Sequence, residues 1–292
     1  MIVTQRRSAT ELGTVFRNAV SRVLRELDGL PDADCLNGSR QFERHYVLEQ
    51  TKRAWQNVAL LQEGFEILFG PAWEHSAVLD IGTSPLTFVY RLCFKEALIS
   101  TIDLRPLAPK RARDYDIVHR QCDLLREAIP FESGQFDVCL FTEVLEHLPL
   151  GPGPVFAEIR RVLKPKGLLI FSVPNVAVLS NRIRAVLGRP VLEPVYVVFR
   201  EERSEQPGAG APQPRGLGHV RVYTMSETID LVTHYGFEVL KGRGVSGGGG
   251  AATRGGLLRR LLHPFYRAAR CLVPNAQNTN LLLCRKTEKK LP

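Results

Sequence analysis

Nowhere in its 292 residues does the chain hold an apolar run near the ~20 residues that a membrane-crossing helix needs. Spanning helices are therefore excluded. Its six cysteines, Cys35, Cys93, Cys122, Cys139, Cys271 and Cys284, form no C-x-x-C pair and no metal-ligand spacing. Several sit in apolar stretches, where a reduced cysteine behaves as a small hydrophobe, so neither a disulfide framework nor a zinc knuckle is expected. The opening MIVTQRRSATELG has two arginines but lacks the apolar core of a signal peptide, which makes the cytosol the expected location. There is no internal repeat. Acidic residues are scarce at the far end, where Glu288 alone opposes Arg254, Arg259, Arg260, Arg267, Arg270, Arg285, Lys286, Lys289 and Lys290.

What is present is ordinary for a globular protein: 44% hydrophobic and 24% charged residues, enough for one substantial core. The net charge of +9, concentrated in that tail, favours an anionic partner. Phosphate, nucleic acid and an acidic membrane surface all qualify, and a solvated basic face is the plain alternative.

Apolar residues recur at three- and four-residue spacing over 8–27 and 42–69, which reads as helix; Trp55 falls on the second stripe as a core residue. From residue 77 the pattern changes to short β-rich runs, AVLDI, LISTID, YDIVHRQ, FDVCLF and GLLIFSV, alternating with helical stretches. That alternation predicts an α/β fold whose mostly parallel sheet carries helices on both faces. The helix over 155–163 should stop at Pro165-Lys166-Gly167. A helix-like stretch over 176–188 leads into a Pro-, Gly- and charge-rich insertion at about 188–218, read as a lid. Then come a capped helix over 226–236, the strand FEVLKGRGV, and a break at 247–250. A basic amphipathic helix at about 257–273, interrupted by Pro264, precedes a last strand, NTNLLLCRK. The domain reading is an N-terminal helical segment, 1–70, followed by the main domain, 71–292.

The first strand exits through Asp80-Ile81-Gly82-Thr83-Ser84-Pro85-Leu86. In open α/β sheets ligands bind at the carboxyl edge, and a glycine there lets backbone approach a ligand closely. Asp103 ends the second strand, about 20 residues on, where an acid can accept ribose hydroxyl protons. Asp123 follows the third strand, and FDVCLFTEVLEHL and VFAEIRRVLKPKGLLIFSVPN run on in order.

Over residues 77–175 these motifs together resemble the class I S-adenosylmethionine-dependent methyltransferases, in particular the group with an E-V-L-E-H segment. The resemblance implies a Rossmann-like, seven-stranded sheet with added N-terminal helices and a lid. It places Asp80, Gly82 and Ser84 near the methionine portion of S-adenosylmethionine, Asp103 and Leu104 at the ribose, Asp123 and Leu124 at the adenine, and Thr142 beside them. Where the family has D-x-G-x-G-x-G, this chain has Ser84 and Leu86 in place of the second and third glycines. A serine fits there only if its backbone angles are ordinary, and Pro85 can instead start the next helix.

Glu143, Glu146 and His147 follow the fourth strand, where the methyl group of the bound cofactor would point. On a helix they stand at i, i+3 and i+4 and share one face. Such a set can bind a hard divalent ion such as Mg2+, or supply a general base, with His147 and Glu143 as the catalytic candidates. E-x-x-E-H resembles the pattern of two metal-dependent families, the small-RNA 2′-O-methyltransferases and the ubiquinone-pathway O-methyltransferases. His219 would complete the metal set of Glu143, Glu146 and His147. In the alternative, the segment is a structural helix start in which His147 packs beneath the cofactor. Asn175, after the fifth strand, either touches substrate or is a plain strand exit.

The expected activity is methyl transfer to an oxygen of a small-molecule, glycan or lipid-linked acceptor. Two alternatives stay open: a metal-assisted RNA 2′-O-methyltransferase, and a non-catalytic scaffold whose altered glycine loop no longer binds cofactor. A peripheral contact with an anionic membrane through the basic C-terminal helix is the expected partner surface.

Overall fold

The computed structural model describes residues 7–36, 38–70, 75–149, 151–192, 218–246, 273 and 275–288. Most of the lid insertion and the basic helix expected at about 257–273 lie outside the described residues, as do Cys271 and Pro264.

Two long helices come first, α1 (Ala9–Gly29) and α2 (Arg40–Phe69). Ser8 caps α1 by accepting from Glu11 N, while the Glu11 side chain accepts from Ser8 N, so two end donors are satisfied reciprocally. The repeating units follow: β1 (Ala77–Ile81), α3 (Pro85–Cys93), β2 (Leu98–Asp103), α4 (Pro109–Asp114) and β3 (Val118–Gln121). Next are β4 (Phe136–Thr142), a short 3-10 turn (Leu145–His147), α5 (Gly153–Val162) and β5 (Leu163–Pro174). The chain continues through α6 (Leu179–Val186), α7 (Met225–His234), β6 (Phe237–Val245) and β7 (Thr279–Lys286).

Seven strands form one sheet in the order β3-β2-β1-β4-β5-β7-β6. β7 runs antiparallel to both β5 and β6, and the other pairings are parallel. The expected α/β fold is present. The sequence differs from expectation at the start of β5, which begins at Leu163 and takes in Pro165-Lys166-Gly167. The register there jumps from the Phe136–Leu163 pair to Val138–Leu168, and Lys166 has φ +61°, so the breaker residues form a bulge within the strand.

Strand residues alternate between two buried layers, as a sheet covered on both faces requires. Val78, Val138, Leu140, Leu168, Ile170 and Leu281 pack with Phe16, Val58, Phe65 and Phe88 of α1, α2 and α3. Their neighbours Leu79, Cys139, Phe141, Leu169, Phe171 and Leu282 pack with Phe156, Ile159 and Val232 of α5 and α7. The N-terminal helices are thus one layer of the same core. Gly64 brings α2 onto the sheet, since a Cβ there would lie 3.2 Å from Leu168 Cδ1.

Two polar ties cross the first layer. Arg111 of α4, fully buried, donates to Glu43 Oε1 and Oε2 of α2 at 3.2 and 3.1 Å and stacks 4.1 Å from the Phe88 ring. Truncating one partner leaves an uncompensated buried charge, so Glu43→Ala should destabilise the fold by about 3–5 kcal/mol. A urea midpoint within error of wild type would contradict this.

The second tie joins β1 to α3: Thr87 Oγ1 donates to Asp80 Oδ2 at 2.5 Å. Burial pushes the Asp80 carboxyl up from 3.8 to about 7; the Thr87 hydrogen bond opposes that shift and the charge of Asp103 adds to it. Folding therefore takes up a proton at this group, and stability falls as pH rises from the unfolded value towards about 7. Between about pH 4.5 and pH 8 this contributes roughly 3 kcal/mol of lost stability. Asp80→Asn should remove that fall, measured as unfolding free energies at the two pH values. An unchanged difference would show that Asp80 does not cause it.

Candidate active site

The sheet order sets the site. It lines up the ends of β3, β2, β1 and β4, so Asp123, Asp103, Gly82 and Glu143 stand side by side along the carboxyl edge. At a strand spacing of ~4.8 Å that row spans about 14 Å, long enough for a nucleoside joined to an amino acid.

Gly82 turns the chain out of β1 with φ +89°, and its N–H donates to Ile102 O at 2.9 Å. A Cβ there would lie 2.5 Å from Val144 Cγ2, so both the backbone angle and the contact with the turn after β4 require glycine. The next two positions do not. Ser84 has φ −133° and ψ 168°, ordinary extended backbone, and its Oγ accepts from Leu86 N at 3.2 Å. Pro85 occupies the first turn of α3, where its missing N–H costs nothing, and Leu86 is buried in the core. The altered glycine loop is therefore built without strain, and the motive for a scaffold reading disappears. Asp80 is buried beneath this loop with Thr87 and supports the turn rather than facing the edge.

Asp103 Oδ1 accepts from Arg105 N at 2.9 Å, with Arg105 Nε at 3.5 Å, and Leu104 beside it is exposed. Asp123 Oδ1 accepts from Leu125 N at 2.9 Å, while Asp123 N donates to Glu127 Oε2 at 2.9 Å. Local backbone thus orients both acids, and half-buried Leu124 packs against the α5 layer. Thr142 closes β4 in register with Ser172.

The segment after β4 departs from expectation. Glu143, Glu146 and His147 do not share a helical face. Glu143 adopts φ +57°, and only Leu145–His147 turn, as a single 3-10 loop. The two carboxylates have different surroundings. Glu143 Oε1 accepts from Ser172 Oγ at 2.9 Å, and Oε2 pairs with Arg53 Nη1 at 2.9 Å. Glu143 therefore stands outside the metal set expected for it, and its occupied oxygens make it a poor general base.

Glu146 is 1% exposed, and neither carboxylate oxygen has a hydrogen-bond partner among the described residues. Burial first, and the charge of Glu143 second, hold its carboxyl well above the ordinary range. Val220 N donates to Glu146 O at 2.7 Å, which brings the preceding His219 to the same spot. Ligand atoms of Glu146, His147 and His219 all lie within 4.8 Å of one another. Of the four residues expected to form a metal set, the fold thus brings three together and leaves Glu143 apart.

Arg53 was missed. It is 4% exposed on α2, donates to Tyr46 Oη at 2.8 Å, and keeps Nε without a hydrogen-bond partner among the described residues. Four residues on, Asn57 donates to Tyr90 Oη at 2.9 Å. The signal was available: Arg53 and Asn57 are polar residues among the buried Val47, Ala54, Val58 and Leu61 of α2. Asn175 is a structural corner, donating to Asn275 O and Gln277 O at 2.7 and 2.9 Å.

Comparison with known proteins adds a domain-level likeness. No curated protein sequence matches the chain. Among solved structures, an S-adenosylmethionine-dependent methyltransferase from Methanosarcina mazei aligns at 17% identity over 74% of this chain and 94% of its own, with TM-score 0.45. A putative sarcosine dimethylglycine methyltransferase from Galdieria sulphuraria aligns at 16% identity over 84% and 89%, with TM-score 0.49. The [4+2]-cyclase SpnF aligns at 18% identity over 97% and 98%, also with TM-score 0.49. Likeness at this level fixes no activity. The family model described as "Methyltransferase domain" matches residues 79–171, the stretch that runs from β1 through the glycine turn, both acids and the Glu143 loop into β5. Residues 79–171 of the chain are thus similar to a methyltransferase domain, and the row of Gly82, Asp103 and Asp123 lies at or beside that stretch's strand ends.

Proposed function

We propose that the protein methylates an oxygen on a small-molecule, glycan or lipid-linked acceptor, with His147 as the general base. The observation that carries this is the composition of the turn after β4. An amine is nucleophilic once neutral, whereas a hydroxyl needs a base to take its proton. Glu143 is occupied by Ser172 and Arg53, and Glu146 is buried, which leaves half-buried His147 as the accessible base of the turn. Its Nε2 lies 3.9 Å from Glu146 Oε1, close enough for the carboxyl to steady the imidazole as it gains charge.

S-adenosylmethionine supplies the methyl group already activated on a positively charged sulfur. What the chain adds is placement. Asp103 would hold the ribose hydroxyls, Asp123 and Leu124 the adenine, and Gly82 the amino-acid end. Arg53, behind Glu143, sets the position of the turn that carries His147. Asp103→Ala should weaken S-adenosylhomocysteine binding by about 100-fold, because a buried pair of ribose hydroxyl bonds goes unmade. Calorimetry on the purified protein measures this, and undiminished affinity would remove the ribose assignment.

A second reading is favoured by the Glu146–His147–His219 group: a divalent ion held there lowers the pKa of the acceptor hydroxyl. Buried, partnerless carboxylate oxygens fit a ligand role. Two imidazoles with one carboxylate suit zinc or manganese better than Mg2+, which prefers oxygen ligands. Titration of the metal-free protein with Mn2+ and Zn2+ should show one site that His219→Ala abolishes. Binding that survives that change would place the ion elsewhere and leave His147 as base alone.

A further inference from the structure

The carboxyl edge of the sheet ends in a helix that the core does not use. No residue of α6 is buried, and Ile183, Val186 and Leu187 are 47%, 87% and 60% exposed. At 100° per residue these three, with Leu179, fall on one stripe. Arg182 and Arg184 stand about 100° to either side of Ile183, and Arg189 follows the helix. From Asn175 to Leu192 there is no acidic residue at all. Apolar residues at the centre of a face, with basic ones at its borders, are what a helix lying in a lipid–water interface needs.

A second basic stretch precedes β7 in the sequence. The sequence from Ala251 to Val273 carries Arg254, Arg259, Arg260, Arg267 and Arg270 with no acid among them. It rejoins the described fold at Ala276, whose carbonyl accepts from Leu179 N at 3.3 Å, beside the bonds from Asn175 to Asn275 and Gln277. The described chain that follows this stretch, at residues 275–277, is therefore bonded to Asn175 and to the start of α6.

We infer that α6 docks the protein on the surface of an anionic bilayer. A second copy of the chain is a poorer occupant: two-fold pairing of the stripe would set the bordering arginines of each copy against those of the other. Nucleic acid would leave Val186 and Leu187 facing water or phosphate. The docking holds for any acceptor; if the proposed methyl transfer is right, it favours the lipid-linked one.

The test uses the full chain, sedimented with vesicles of phosphatidylcholine alone or mixed with phosphatidylglycerol. Pelleting with the mixed vesicles only, weakening as salt rises, is expected. Val186→Glu with Leu187→Glu should lower partitioning at least about tenfold. Arg184→Ala and Arg189→Ala should each lower it about fivefold. These positions are exposed, so the thermal midpoint and S-adenosylhomocysteine affinity should stay at wild-type values. That also separates failure of docking from failure of the enzymatic reading. Absence of wild-type pelleting overturns the proposal. So does a double glutamate variant that pellets like wild type, or binding of a single-stranded RNA by a protein that ignores both vesicle types.

Discussion

A buried ion pair, Arg53 with Glu143, is the constraint on which the site depends. It crosses from the N-terminal helical layer to the exit of β4, so the helices that precede the methyltransferase domain help build its active edge. Burial works against the Arg53 charge, yet Tyr46 and Glu143 together hold its pKa above the ordinary value. Glu143 is fixed a second time by Ser172 of β5. A residue at φ +57° is strained for a side chain of this size, and two bonds to its carboxylate are what keep it there. From that fixed point Val144 lies against Gly82, and the following turn brings His147 to the edge. Loss of the pair would leave one charge buried alone, a cost of about 3–5 kcal/mol that the turn would relieve by moving.

The glycine loop shows how a motif can change without losing its geometry. Within the loop, Gly82 has both a left-handed backbone and a neighbour inside Cβ distance. The later positions of the loop are the start of α3, where the demands are a cap, a tolerated proline and a core contact. Ser84, Pro85 and Leu86 meet these in turn. Pattern matching weighs the three glycines equally. Backbone geometry does not.

Continuous apolar runs in strands covered on both faces, and stripes at helical spacing, are strong local signals, so the sheet and its helices were legible from sequence. The acids at the ends of β2 and β3 were legible too, because strand ends are where the pattern stops. The turn after β4 was not. E-V-L-E-H reads as helix by spacing, and its true course is set by Glu143 reaching Arg53 some 90 residues away in sequence. No local pattern encodes that pairing. His219 shares the difficulty: the backbone bond from Val220 to Glu146 brings it in across a span of sequence with no regular pattern. The bulge at Lys166 is a smaller case, in which proline and glycine mark an interruption but not its form.

Glu143 and Glu146 show how environment assigns opposite duties to like residues. They lie three apart in sequence and feel each other's charge. Glu143 has an arginine at one oxygen and a hydroxyl at the other. Glu146 has neither; burial and its charged neighbour push the same way, and its carboxyl is held towards the neutral form. A neutral buried acid beside an imidazole is a store of charge not yet developed. In the proposed chemistry its ionisation would answer a positive partner, whether a protonated His147 or a divalent ion shared with His219. Both readings of the chemistry therefore draw on one property of the turn, the contrast between a carboxylate held by partners at Glu143 and a buried one without them at Glu146.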